Sequence, residues 1–274
     1  MVKTKTIQNV SFVALALTLA CGLLALPGCS IPSRGASTES QLVASNNGDN
    51  GRSQGSLPPA LIALFDDKSE SVKSARISPL REEDLIALFN RLRITGGELA
   101  FGLIGESSDR PLVRLRISPP PVKPGKPEVQ NAFERAESDA SFQIQEEKYQ
   151  SEVRFWKEEV DRRVNAFLDV VRPRLQQRAA DMRSPVNGAL ARAELFLNEP
   201  ESVWARSPRR YIILNSDAVD TTKSAPVMIR SGTTLVLING SGSLGVLKSQ
   251  NPLRFESIQA ALDFIAAEDI GSRQ

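Results

Sequence analysis

No histidine occurs anywhere in the 274 residues. Ser-His-Asp and Cys-His triads, His-ligated zinc and imidazole general-base chemistry are excluded together. Cysteine is almost as scarce, with Cys21 and Cys29 the two in the chain. Aromatic residues make up 5% of the chain, so any core must be built mainly from aliphatic side chains. An excess of one charge sign is also lacking. Lys3 and Lys5 stand in the first 28 residues with no acid beside them; without them the 34 basic residues fall to 32, against 32 acidic ones. A chain so balanced is not built to hold nucleic acid by bulk charge.

What is present begins with a leader. Behind Lys3 and Lys5, the stretch from Val10 to Leu26 is an almost uncharged apolar run, and it ends in LPGC at Leu26-Pro27-Gly28-Cys29. Residues 1–28 read as a signal peptide. The segment resembles a bacterial lipoprotein signal. That resemblance implies an acylated Cys29 as the mature N-terminus, and lipid anchoring in the bacterial cell envelope on its periplasmic or extracellular face. Cys21 would leave with the leader, so no disulfide would form within one mature chain. The competing reading is a retained membrane helix at the short edge of a span.

Residues 29–57 are rich in Ser, Gly and Asn and poor in apolar side chains. Too little surface can be buried to fold them, so they are expected to form a flexible tether. From residue 58 to 274 strands and helices alternate. Leu61 to Phe65 is a buried-strand candidate, and Ser78-Pro79 has the form of an N-cap followed by proline at the first helical position, opening a helix to about Arg93. GELAFGLIG and PLVRLRI flank GESSDR as a hairpin. VNGALARAELFLN and SIQAALDFIAAE have helical character, and YIILN and TTLVLIN have strand character. The expectation is an α/β, doubly wound (Rossmann-like), mainly parallel sheet with one antiparallel edge strand.

An insertion at 119–180 interrupts this alternation. PPPVKPGKP is a stiff extended linker. Glu128 to Arg172 has neither proline nor glycine and is expected to be one long helix, ended or kinked at Pro173. An apolar stripe at Val153, Trp156, Val160, Val164, Phe167, Val171 and Leu175 follows an eleven-residue repeat, which keeps a nearly straight face for packing on the sheet. The first half of the helix carries a thin stripe and is expected to project as a second contact surface.

Three loops offer oxygen ligands. Asp67-Lys68-Ser69-Glu70-Ser71 fits D-x-S-x-S at the carboxyl end of the first strand, where open α/β sheets gather ligands. Ser184 lies just before a helix, and Asp217 just past the strand YIILN. Hydroxyls backed by carboxylates suit a hard divalent ion that keeps part of its water. Together, in this order, these segments resemble the metal-ion-dependent adhesion site (MIDAS) of the von Willebrand factor type A (VWA) domain, over about Ala60 to Phe264. Ser184 stands where that family usually has threonine, Glu70 where it usually has glycine, and Ala218 replaces the glycine that commonly follows the third-motif aspartate. Asp66 adds another acid beside the site. The resemblance implies metal ligation by Asp67, Ser69, Ser71, Ser184 and Asp217. The ion would be Mg²⁺, with Mn²⁺ or Ca²⁺ as alternatives. It further implies an open coordination position filled by a Glu or Asp carboxylate of a partner protein, in a binding module and not an enzyme.

Gly240-Ser241-Gly242-Ser243-Leu244-Gly245 matches G-x-G-x-x-G after a strand. The dinucleotide fold needs more chain and an acid about 20 residues on, so a loop near the crevice is expected and no nucleotide. Two other functions remain open. One is a metal-free structural or assembly lipoprotein acting through its helical insertion. The other, a metal-assisted hydrolase, ranks last because the motifs supply no evident proton-transfer group.

Overall fold

The strand β1 (Ala60–Asp67) is buried at every position, as a central strand with both faces covered must be. Its surroundings come from a computed structural model describing residues 57–105, 110–127, 131–177, 183–199, 204, 207–222, 224–238 and 244–271. The leader, Cys29 and the tether up to residue 56 lie outside those residues, as does most of the GESSDR turn. Among the described residues no helix is long and apolar enough to cross a membrane.

After β1 the chain runs through α1 (Glu70–Ser74), α2 (Glu82–Thr95), β2 (Gly97–Ile104), β3 (Val113–Ile117) and α3 (Ala132–Leu175). It continues with α4 (Val186–Leu197), β4 (Arg209–Asn215), β5 (Thr233–Ile238), a 3-10 turn at Gly245–Gln250, β6 (Leu253–Phe255) and α5 (Ile258–Gly271). The six strands form one sheet in the order β3-β2-β1-β4-β5-β6. All neighbouring pairs are parallel except β2 and β3, the expected antiparallel hairpin.

Alternation along β1 builds two core layers. Ala60, Ile62 and Leu64 pack with Leu85 and Leu92 of α2, Phe167 and Val171 of α3, and Leu262 of α5. Leu61, Ala63 and Phe65 face the other way, against Leu190, Ala193 and Phe196 of α4. Gly97 fits between these strands because it has no side chain. A Cβ there would lie 2.1 Å from the Ala60 carbonyl oxygen, and its φ of +133° excludes most residues as well.

Two helices differ from expectation. α2 begins at Glu82, not at Ser78-Pro79, because Leu80 is drawn into the core and the Asp84 carboxylate accepts the Arg81 N–H at 2.7 Å. α3 starts at Ala132 and ends at Leu175, so Pro173 sits in its last turn. The eleven-residue stripe packs as read: Val160, Val164, Phe167, Val171 and Leu175 are buried. The first half of α3 has no buried side chain among those described, in keeping with a projecting surface, and the proline segment runs alongside the helix. The Trp156 indole donates to the Ser118 carbonyl at 3.0 Å and Lys126 pairs with Asp139 at 3.3 Å. The lengths agree. Trp156 to Asp139 spans about 25 Å of helix, and Ser118 to Lys126 spans about 25 Å of extended chain.

Candidate metal centre

The sheet order reverses between β1 and β4, and ligands of open α/β sheets collect outside the carboxyl ends of the strands at such a point. Asp67 ends β1 there and is 2% exposed. Its Oδ1 accepts the Ser69 N–H at 2.9 Å. Its Oδ2 accepts the Ser184 hydroxyl at 3.0 Å and the Ser216 hydroxyl at 2.6 Å. The Ser69 and Ser71 hydroxyl oxygens lie 3.0 Å apart. Four of the five expected ligand residues therefore meet in one hydrogen-bonded set. Asp217 is buried at the same strand end, but its Oδ1 accepts the Val219 N–H at 3.1 Å. Among the described residues no hydrogen bond joins its carboxylate to the other four.

Sequence reading missed Ser216. It comes from the register of the sheet: Asp66 pairs with Asn215, so the next residue of the β4 chain comes level with Asp67, and no local motif announces this. Sequence reading also placed Asp66 beside the site, and that is corrected. Successive side chains of a strand point to opposite faces, so Asp66 turns to the α3 layer. There it pairs with Lys68 at 2.6 Å and accepts the Asn215 side-chain N–H at 2.8 Å. Lys68 also donates to the Leu175 carbonyl at 2.9 Å, at the end of α3. Burial pushes the Asp66 carboxyl above its ordinary value, against the lowering effect of Lys68 and Asn215.

Glu70 opens α1 and is exposed. Ala218, in the place of the expected glycine, has φ +59°, a left-handed conformation that glycine adopts more readily. The 3-10 turn closes on this loop: Val246 N–H donates to the Ala218 carbonyl at 3.2 Å. Gly245 is needed there, since a Cβ would lie 1.8 Å from that oxygen and φ is +46°. The last glycine of the G-x-G-x-x-G string thus serves backbone packing at the crevice. Residues 239–243 lie outside the described residues.

The loop after Asp217 contains no helix among its described residues and is fastened to the start of α4. Ser184 N–H donates to Thr221 Oγ1 at 2.8 Å, and Thr221 N–H returns to the Ser184 carbonyl at 3.2 Å. Asp220 accepts the Asn187 N–H at 2.8 Å, together with the Thr222 N–H and hydroxyl and the Ser224 hydroxyl. Burial alone would raise its carboxyl, but these donors outweigh burial and hold it below the usual carboxylate range.

Asp67 is thus a buried carboxylate satisfied by hydroxyls and an N–H, with no cation paired to it among the described residues; the neighbouring Lys68 is committed to the opposite face. A hard ion fits such a set chemically, through hydroxyl oxygens that can turn from the carboxylate to a metal. The chain has no histidine, and no cysteine stands among the described residues. Among the described residues no group of three or more His, Cys, Asp or Glu side chains is placed to hold an ion, so any cation here rests largely on serines. Set against family models, curated proteins and solved structures, the chain matches none.

Proposed function

We propose that this protein is a metal-dependent protein-binding module of the VWA type, moored to a bacterial membrane through Cys29. The observation that carries the reading is the buried Asp67 carboxylate, ringed by the hydroxyls of Ser184 and Ser216 and without a paired cation among the described residues. A buried charge of this kind calls for a counter-charge, and Mg²⁺ or a similar ion would supply one. The order β3-β2-β1-β4-β5-β6, with its reversal at the Asp67 and Ser216 strand ends, supports the same reading.

Ser69, Ser71 and Ser184 would present hydroxyl oxygens, with Asp67 and Asp217 as the acidic members. The ion would supply an electrophilic position open to an Asp or Glu side chain of the partner. The chain's own residues orient that position. The Asp67–Ser69 turn fixes the first loop, and the Thr221–Ser184 pair fixes the second.

The test is capture of envelope proteins on the full chain in Mg²⁺ and in chelator, beside a Ser69→Ala/Ser71→Ala variant. Capture that requires both the ion and the two hydroxyls supports the reading. Equal capture in all conditions contradicts it and leaves the helical insertion as the working surface.

A further inference from the structure

Among the described residues the sheet ends at β3, and this edge is built differently from the rest. Arg163 Nη1 donates to the Arg116 carbonyl at 3.1 Å, so that carbonyl looks away from β2. In an antiparallel strand the outward groups recur at alternate residues, which turns the Arg114 N–H and carbonyl outward as well. A cavity lies on each side of this edge. One, of about 400 Å³, runs between β3 and α3 and is lined by Arg114, Arg116, Arg162, Arg163, Phe167 and Val170 among others. The second, of about 230 Å³, lies towards α4, with Arg110, Leu112, Arg114, Leu195, Phe196 and Glu199 in its wall. Val170 is 50% exposed and Leu195 is 74% exposed, so each cavity carries an apolar lip.

We propose that β3 is a docking edge for an extended acidic peptide segment of a partner protein, which adds there as a further strand. Strand addition supplies main-chain hydrogen bonds, while alternate side chains enter pockets on the two faces of the edge. The two cavities stand where those side chains would go. The occupant's charge follows from the guanidiniums. Glu98 is shared between Arg114 and Arg116, and Glu159 between Arg162 and Arg163, so cations outnumber anions even with Glu199 on Arg114. A second copy of β3 is a poor occupant, because antiparallel pairing of VRLRI with itself sets arginine opposite arginine. The edge lies apart from the serine cluster and does not depend on the metal reading.

The experiment uses the full chain and a fluorescein-labelled peptide of alternating glutamate and threonine, about six residues long. A matched lysine–threonine peptide and a glutamate–threonine peptide N-methylated at every residue, which leaves neither edge an N–H donor, serve as controls. Fluorescence anisotropy should rise saturably for the acidic peptide alone, equally in Mg²⁺ and in chelator. Affinity should fall about tenfold in Arg162→Glu/Ala166→Glu, two exposed positions on the α3 wall. Hydrogen exchange at the Arg114 and Arg116 amides should slow when the acidic peptide is bound, which tests the site without any substitution. Failure of the acidic peptide to bind overturns the proposal. So does equal binding of the N-methylated peptide, or slowed exchange at β3 through self-association of the chain alone.

Discussion

Asp66 and Asp67 are neighbours at the end of one strand, both buried, yet they sit in opposite kinds of surroundings. On the α3 face, Asp66 is closed off by a lysine ammonium and an asparagine amide. On the α4 face, Asp67 meets serine hydroxyls and one backbone N–H. The first arrangement neutralises its charge within the protein and ties the strand end to the last turn of α3 through Lys68 and Leu175. The second satisfies hydrogen bonds with no counter-ion among the described residues. A one-residue step along a strand separates a structural acid from a candidate ligand.

Substitutions can sharpen this contrast. Lys68→Met should have the largest effect, about 3–5 kcal/mol in urea unfolding, because it strands a buried carboxylate. Adding Asp66→Asn should recover a good part of that loss; no recovery would mean that Lys68 acts through Leu175 alone. Asp67→Ala should cost less, about 1–3 kcal/mol, since it orphans hydroxyl donors but also removes an unpaired buried charge. A loss as large as that of Lys68→Met would erase the distinction between the two faces.

Asp220→Asn should cost about 1 kcal/mol near neutral pH, the scale of a lost helix cap. Its carboxyl lies below the ordinary value when folded, so its contribution is fully present above about pH 4 and is lost as pH falls through the lowered value. Stability curves of the variant and the parent should therefore converge in acid, as followed by circular dichroism. Ser69→Ala/Ser71→Ala should have the smallest effect on the metal-free chain, within about 0.5 kcal/mol, because the two hydroxyls bond each other at a partly open position.

Much of this was legible in the sequence where local pattern decides. The alternating elements, the hairpin and the packing half of α3 follow from periodicity. The loops with Asp67 and Asp217 could be placed at strand ends from the strands alone, and Ser184 just before a helix; that Ser184 follows α3 and not a strand comes from the structure. Register and facing were harder. Whether Asp66 or Ser216 joins the cluster depends on which side of a strand each occupies and on how far β4 slides against β1, and no local motif records that. The start of α2 was misplaced because burial of Leu80 outweighed the capping pattern at Ser78-Pro79. The folding of the proline segment along α3 depends on two long-range contacts, Ser118 with Trp156 and Lys126 with Asp139, which composition does not reveal.

Electron paramagnetic resonance of Mn²⁺ titrated into the full chain tests the metal reading most directly. The free-ion signal should be lost with a stoichiometry of about one ion per chain, return when Mg²⁺ competes, and persist in Ser69→Ala/Ser71→Ala while Lys68→Met still binds. If the double serine variant takes up Mn²⁺ as the parent does, or the parent takes up none, the serine cluster at Asp67 is not a metal site.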